Sequence, residues 1–259
     1  MYSFIFSLIF FGFLYAKLNL PKRCFYQEAV ATGSIGTVLS IFLLNPSGNW
    51  YRNMILAALI VILSAILVIF WSFYRDPNRN YKGRENIILS PADGKIIYIR
   101  KIEKGIIPVS IKGKSGIYLH EISKTDLIKE DCWLIGINMS ILDVHVNRAP
   151  MQGEIIMAKH QSGKFLSLKL PESDVQNERY IVIIKNNKFL VGVIQIASRG
   201  VRRIKSFVKQ GQNVNRGQRI GKIILGSQVD IILPIGVKPL IKEGLHVYAG
   251  LTPMAECSA

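Results

Sequence analysis

The sequence VKQGQNVNRGQRIGKI, residues Val208–Ile223, decides the fold. Its glycines separate segments that are too short for helices and that each carry a β-branched residue, which is typical of very short strands joined by tight turns. From Asn86 onwards the rest of the chain has the same texture. Its clearest β-type runs are Ile96–Ile99, Ile181–Ile184, Leu190–Ile194 and Val229–Leu233. We therefore predict a mainly β domain.

The first 80 residues are strongly apolar. The chain of 259 residues is 49% hydrophobic, with a mean hydropathy of +0.27, which is high for a soluble domain. Met54–Phe73 has twenty residues without a charge, enough for a helix to cross about 30 Å of hydrocarbon. Ala29–Leu44 is shorter and richer in small residues, and Asn45–Asn49 between them predicts a helical hairpin. Tyr2–Ala16 lacks the basic start and cleavage site of a signal peptide, and either spans the membrane or lies in its interface.

We therefore predict that residues 1–80 are membrane-anchoring helices, with spans near 29–44 and 54–73 and a third segment at 2–16, and that residues 81–259 form a second domain. The alternative is a pair of buried core helices in a soluble protein. Because lysines and arginines flank the hairpin on both sides while its loop holds only Arg52, we expect the large domain on the cytoplasmic face of the cell membrane.

The charge of the chain limits its partners. Lys and Arg number 33 against 17 Asp and Glu, giving a net charge of +16, which attracts polyanions. The basic residues are scattered, without interleaved aromatics or a nucleic-acid-binding motif, so an anionic membrane surface is favoured over nucleic acid. Cys24, Cys132 and Cys257 lack the paired spacing of a zinc site or a disulfide framework, so we predict no metal and no role for them.

The pair Gly226-Ser227 lies between two apolar β-type runs and is a candidate for self-cleavage. Glycine has no Cβ to block attack of the serine hydroxyl on the preceding carbonyl, and it tolerates the strained backbone that such attack requires. The peptide bond becomes an ester, and β-elimination then breaks the chain and leaves a pyruvoyl group at residue 227. The alternative is an ordinary turn or bulge in a strand.

Several motifs stand upstream of this pair. They are Phe73–Arg79, Ser90–Lys95 and Asp143–Pro150, followed by residues 177–179, 195–197 and 202–204. In this order the motifs resemble the phosphatidylserine decarboxylase family. The similarity runs from about Phe73 to Pro234 and is closest to the short prokaryotic branch. It implies a zymogen that cuts itself between Gly226 and Ser227 into a large β chain and a small α chain, and a pyruvoyl-dependent carboxy-lyase that converts phosphatidylserine to phosphatidylethanolamine and CO2 in phospholipid biosynthesis.

A second resemblance concerns the fold. Val208–Ile223 is similar to the hammerhead turn of lipoyl-type domains, and Pro91–Ile96 resembles the other recurring piece of that fold. This implies a compact β-sandwich of barrel-sandwich-hybrid type. No lipoyl or biotinyl attachment is expected, because Asn215-Arg216 stands where the modified lysine would be.

The family resemblance assigns roles to individual residues. Ser227 is the pyruvoyl precursor, whose carbonyl forms a Schiff base with the substrate amine. His145 takes the serine proton and later protonates the product carbon, and Asp93 and Asp143 are the candidate carboxylates beside it. Asp143 and His145 are two apart, so on a strand they share a face. The alternative is a structural histidine with two turn-forming aspartates.

Two positions depart from the family's pattern. Arg148 replaces the second histidine that many members carry three residues after the first, and Gln228 follows the serine in place of Thr, Ser or Arg. For the substrate phosphate the candidates are Arg148, Arg202 and Arg203, with a solvated or membrane-facing role as the alternative. The other histidines match no family motif, and we expect surface or loop positions for His120, His160 and His246.

The sequence is also compatible with two other functions. An archaetidylserine decarboxylase would use the same chemistry on an ether lipid, since the tails lie far from the reacting atoms. A membrane-anchored, non-catalytic hybrid-motif module would remain one intact chain. The expected partners are the phosphatidylserine substrate, the anionic membrane surface and the protein's own fragments, with the resemblance suggesting a dimer of cleaved heterodimers.

Overall fold

The computed structural model describes residues 5, 7–9, 12, 22–43, 49–103, 106–107, 117–118, 131–164, 166–167, 176–197, 204–224 and 227–257. The chain divides into two compact units. The first comprises Met1–Arg75 with Ser140–Leu142, and the second comprises Asp76–Met139 with Asp143–Ala259.

The first unit is helical. Helix α1 is Lys22–Leu43 and helix α2 is Trp50–Tyr74. Asn49 caps the N-terminus of helix α2, where its side-chain oxygen accepts a 3.0 Å hydrogen bond from the Tyr51 N–H, and the helix ends where Arg75 turns to extended backbone. The bulky side chains along α2 are largely exposed.

Among the described residues, one helix is long and apolar enough to cross a membrane. It is Tyr51–Trp71 within α2, with a mean hydropathy of 3.0, and it overlaps the predicted span at 54–73. The span predicted at 29–44 falls on α1, in which the apolar stretch found among the described residues is Ala29–Leu39, and this span stays a prediction. Of the segment predicted at 2–16, residues 5, 7–9 and 12 are helical and the others lie outside the described residues.

The second unit is built of strands, which confirms the mainly β prediction. Their bounds are β1 Ile87–Leu89, β2 Gly94–Ile102, β3 Ile106–Ile107, β4 Ile117–Tyr118, β5 Cys132–Met139, β6 Val146–Arg148, β7 Gly153–Gln161, β8 Arg179–Lys185, β9 Leu190–Ala197, β10 Ile204–Ser206, β11 Asn213–Val214, β12 Arg219–Ile223, β13 Ser227–Pro234, β14 Val237–Pro239, β15 His246–Val247 and β16 Pro253–Cys257.

All four predicted β-type runs lie in strands, in β2, β8, β9 and β13. The glycine-rich segment Val208–Ile223 contains β11 and β12. Gly211 and Gly217, at φ 81° and 79°, make the left-handed turns before these strands, which a side chain would disfavour.

Within the part of the chain that the structure describes, the strands form one large antiparallel sheet and three small ones. The large sheet has eight strands in the order β11-β7-β8-β9-β13-β5-β2-β15. The orders β1-β16-β14 and β10-β12-β6 make two three-stranded sheets, and β3 pairs with β4.

Both faces of the large sheet carry a core. On β8, Val182 and Ile184 join a cluster that includes Ile88, Ile220 and Met254 of the small sheets, whereas Ile181 and Ile183 join a second cluster with residues such as Leu134 and Ile194. Because alternate residues of a strand point to opposite faces, the first face packs against the small sheets as a sandwich. The second cluster fits a sheet that curls on itself into a half-barrel.

Candidate active site

Several of the motifs recognised in the sequence have residues at one end of the large sheet. Ser227 begins the central strand β13, where its backbone pairs with Met139, the last residue of β5, and Ala197, the last residue of β9. The side chain of Ser227 lies outside the described part of the structure, as do Gly226, Arg202, Arg203 and His120.

The next residue, Gln228, belongs to a row of backbone-paired residues that crosses seven of the eight strands. Its members in order are His246, Lys95, Asn138, Gln228, Ile196, Arg179 and Gln161. Lys95, Arg179 and Ile196 each come from a different motif of the family pattern. Strand register therefore gathers motifs that are far apart along the chain around the predicted cleavage site.

His145 lies fully buried in the segment between β5 and β6. Its Nδ1 is 2.8 Å from the backbone oxygen of Asp143. Because a carbonyl oxygen only accepts, Nδ1 carries the proton and Nε2 carries the lone pair of a base. Burial lowers the pKa of His145 from 6.5 to about 4, aided by the charge of Lys222 and opposed by the hydrogen bond and charge of Asp143 and by the charge of Asp93. The imidazole is therefore neutral at pH 7.

The carboxylate of Asp143 faces a second imidazole. Its Oδ1 is 2.9 Å from Nε2 of His246, and the Asp143 side chain is 5% exposed. His246 is the first residue of β15, where it pairs with Lys95, so the surface or loop position expected from the sequence is corrected. The sequence carried a weak signal for this contact, a histidine in the β-type segment Leu245–Tyr248, but only the pairing of β15 with β2 brings it to Asp143.

Asp93 is held by an arginine and a backbone amide. Its carboxylate forms a two-point ion pair with Arg79, with Nη2 to Oδ2 at 2.8 Å, and Oδ1 accepts a 2.8 Å hydrogen bond from the Ala249 N–H. Asp93 is 2% exposed. Gly94 follows with φ 147°, and a Cβ there would lie 2.4 Å from the Asn138 oxygen, so the turn that presents Asp93 requires glycine.

Arg148, a predicted phosphate ligand, has protein partners in the structure. Its Nη2 donates to Oδ1 of Asp76 at 3.0 Å and to the Pro77 oxygen at 2.9 Å, and Nη1 donates to the Gly217 oxygen at 3.0 Å. Its Nε–H has no hydrogen-bond partner among the described residues. Arg219 binds the other oxygen of Asp76. The phosphate role of Arg148 stays a prediction.

A buried pair of carboxamides, which the sequence reasoning did not assign, lies beside the row. Nε2 of Gln195 donates to Oδ1 of Asn147 at 2.7 Å, and both side chains are fully buried. Nδ2 of Asn147 is 3.9 Å from Sδ of Met139, the residue paired with Ser227. A Cβ at Gly221 would come within 2.9 Å of Gln195, so glycine makes room for the pair. The sequence signal for this pair was that Asn147 belongs to the motif at 143–150 and Gln195 to the motif at 195–197.

A cavity of about 900 Å³ opens at the β8–β9 turn. Arg79, Ile88 and Gly217 are among its lining residues, and His145, Asp93 and Asp143 are not. Cys132 and Cys257 are buried free thiols, and burial raises the pKa of Cys132 to about 12. The described residues include no cluster of three or more metal-ligating side chains.

Comparisons with known proteins show the family of the chain. A family model described as phosphatidylserine decarboxylase matches residues 66–255. A candidate archaetidylserine decarboxylase proenzyme of Methanocaldococcus jannaschii is 43% identical over 195 residues, which cover 75% of this chain and 93% of the relative. A phosphatidylserine decarboxylase proenzyme of Azorhizobium caulinodans is 37% identical over 197 residues, covering 75% and 77%. A phosphatidylserine decarboxylase proenzyme of Erythrobacter litoralis is 34% identical over 226 residues, which cover 82% of this chain and 87% of the relative.

Proposed function

This chain belongs to the phosphatidylserine decarboxylase family and is a decarboxylase, and we propose that it matures by cutting its own backbone between Gly226 and Ser227 and then converts phosphatidylserine to phosphatidylethanolamine and CO2. The observation that supports the proposal is that residues of separate family motifs pair with the start of β13, while the buried neutral His145 lies two residues from Asn147, whose Nδ2 is 3.9 Å from Sδ of Met139, the backbone partner of Ser227.

In maturation His145 acts as the base. Nε2 takes the hydroxyl proton of Ser227 while the oxygen attacks the carbonyl carbon of Gly226, and the released amide nitrogen takes up a proton, leaving an ester. Removal of the α-proton of residue 227 then breaks the Cβ–O bond. The large chain ends in the carboxylate of Gly226, and hydrolysis of the new double-bonded residue releases ammonia and leaves the pyruvoyl group at the head of the small chain.

The pyruvoyl group supplies a carbonyl that withdraws the electrons left when the substrate loses CO2. Residue 227 suits such a group, because β13 is paired on both sides and holds its start in a fixed place. His145 serves as the proton donor to the product carbon, and Nδ1–H bonded to the Asp143 oxygen keeps the ring oriented for this transfer. Asp93, fixed by Arg79, adds negative charge that favours the protonated ring.

The apolar helix suits a lipid substrate. We infer that α2 crosses the cell membrane and that the β unit faces the cytoplasm, where the reacting amine and carboxylate lie at headgroup level. The net charge of +16 favours an anionic membrane surface. For the substrate phosphate, Arg148, Arg202 and Arg203 remain the candidates, and the mature protein is an α–β heterodimer that dimerises.

A second candidate substrate is archaetidylserine, favoured by the 43% identity to the Methanocaldococcus jannaschii relative. The two substrates differ in their tails, far from the reacting atoms. Assay of the purified enzyme on both lipids in matched vesicles decides between them.

Intact-mass spectrometry of the purified protein tests the cleavage. We expect one fragment ending at Gly226 and a second, beginning at residue 227, whose mass fits a pyruvoyl terminus and whose amino terminus resists Edman degradation. Ser227→Ala should abolish both the cut and CO2 release. Ser34→Ala, in the other Gly-Ser pair of the chain, is the matched control and should leave both intact. An unbroken wild-type chain that still decarboxylates the lipid would contradict the proposal.

A further inference from the structure

His246 lies in the site although no motif points to it. It stands one strand from Lys95 in the row that crosses the sheet, and its side chain is 23% exposed. Its Nε2 lies 2.9 Å from Oδ1 of Asp143. A carboxylate only accepts hydrogen bonds, so Nε2–H of His246 is the donor.

Asp143 joins this imidazole to the proposed base. Its side chain accepts from His246, and its backbone oxygen accepts from Nδ1 of His145 at 2.8 Å. Both acceptors belong to one residue, so anchoring the carboxylate also limits the rotation of the backbone carbonyl. The two hydrogen bonds therefore connect His246 to His145 through Asp143.

The same short segment of chain also holds the other carboxylate of the site. Three residues after His246, the Ala249 N–H donates to Asp93 at 2.8 Å. The ring of Tyr248 packs at 4.9 Å from the His246 ring, which limits the motion of the imidazole. Residues 246–249 therefore contact both aspartates of the site.

We propose that His246 is a positioning residue for chain cleavage and decarboxylation, which fixes Asp143 so that the Asp143 carbonyl holds the His145 ring in its working orientation. The proposal rests on the base role of His145 under the proposed function. It gives this chain a second imidazole at the site, from a strand about a hundred residues after His145 along the sequence.

The groups that face His246 define what its removal changes. They are the Asp143 carboxylate, the Tyr248 ring and, by strand pairing, Lys95. His145 in turn is surrounded by Asp143, Asp93 and Lys222. Loss of His246 releases Asp143, whose hydrogen bond and charge both raise the pKa of His145, so that pKa should fall below about 4.

The test uses the full chain synthesised cell-free into phosphatidylglycerol-containing vesicles, with cleavage followed by pulse-chase over a range of pH. We expect His246→Ala to slow cleavage about tenfold, the size of a lost hydrogen bond to a charged group, and to move the acidic limb of the pH profile downwards. His246→Gln should restore most of the rate and the position of the limb, because the glutamine Nε2 can donate from nearly the same place. In mature enzyme His246→Ala should lower kcat and leave KM unchanged.

Glu243→Ala is the matched control. Glu243 precedes β15 and accepts a 3.1 Å hydrogen bond from the Ile99 N–H, so its loss disturbs the same β2–β15 edge without touching Asp143. It should leave the rate and the pH profile as in the wild type. Equal rates and limbs in His246→Ala and the wild type would overturn the proposal, and so would failure of His246→Gln to restore the rate while its unfolding matched the wild type. If the wild-type chain itself stays uncut, the result contradicts the proposed function and not only the role of His246.

Discussion

The guanidinium of Arg79 forms a two-point ion pair with the carboxylate of Asp93, fourteen residues further along the chain. The two side chains are 7% and 3% exposed, and Arg79 also donates to the Ala249 oxygen at 2.9 Å. Arg79 ends the motif Phe73–Arg79, so the pair explains why that motif accompanies the Asp93 motif: one supplies the cation that lets the other bury its carboxylate.

Replacing Arg79 should therefore destabilise the β unit. Arg79→Leu leaves the Asp93 carboxylate buried without its cation, and we expect a loss of about 3 kcal/mol in the free energy of unfolding, with slower cleavage. Denaturant unfolding in the Ser227→Ala background measures the first effect. Arg84→Leu is the control, because its 3.5 Å pair with Glu256 is exposed and should contribute little. Equal losses from the two variants would contradict the assignment.

The depressed pKa of His145 sets the pH dependence. The folded pKa of about 4 lies below the ordinary 6.5, so between these values the unfolded chain takes up a proton that the folded chain refuses. Stability should therefore fall as the pH drops from 6.5 to 4, by about 3 kcal/mol at most, and this loss should level off below pH 4. His145→Gln should remove that slope.

Cleavage should follow the same pKa. Because the base stays neutral down to about pH 4, we expect the rate of cleavage to hold between pH 7 and 5 and to fall as the pH approaches 4. Lys222→Met should move this limb to higher pH, since the charge of Lys222 lowers the pKa of His145. A half-maximal rate near pH 6.5 would show that the ring is not desolvated as the structure describes.

Gly94 should not accept a side chain. In Gly94→Ala the new Cβ would meet the Asn138 oxygen at 2.4 Å on a backbone with φ 147°, so we expect a loss of at least about 2 kcal/mol and impaired cleavage. Gly211 also has a positive φ, of 81°, but a Cβ added there would have no atom within 4 Å. Gly211→Ala therefore measures the backbone strain alone. Thermal unfolding of both variants gives the difference, and equal shifts would show that the close approach to Asn138 is unimportant.

Arg148 and Arg219 both form ion pairs with Asp76 but differ in burial, because the Arg148 side chain is 4% exposed and the Arg219 side chain is 40% exposed. Arg148→Leu removes bonds to Asp76, Pro77 and Gly217, and should cost about 3 kcal/mol, whereas Arg219→Leu should cost under about 1 kcal/mol. Denaturant unfolding compares them. A raised KM with unchanged stability in Arg148→Lys would instead support phosphate binding as the main role of this residue.

Helix α2 should keep the protein in the membrane. Leu59 and Leu63 are 55% and 59% exposed, so changing both to Lys places two charges on the lipid-facing surface of the span, and we expect the protein to leave the membrane fraction. Leu240→Lys, at a 44% exposed position of the β unit, should leave fractionation unchanged. The measurement is carbonate extraction followed by immunoblotting, and retention of the double variant would contradict the anchor.

Much of the fold was accessible from local patterns. The runs at 96–99, 181–184, 190–194 and 229–233 predicted strands because β-branched residues at strand length are a local signal, and all four lie in strands. The twenty uncharged residues at 54–73 predicted helix α2 for the same kind of reason, since the length of an apolar run sets what it can cross. A membrane span at 29–44 is harder to predict, because the apolar stretch there is short and rich in small residues.

By itself, the sequence determined the family, the mainly β class, the apolar helix and the candidate residues Ser227, His145, Asp93 and Asp143, because motifs and periodicity are properties of neighbouring positions. Only the tertiary structure decided which groups meet. Arg79 reaches Asp93, His246 reaches Asp143, and Gln195 reaches Asn147, across as many as 103 residues of chain. The positions of the segments that carry these residues depend on the pairing of many strands at once, so no local pattern encodes the contacts.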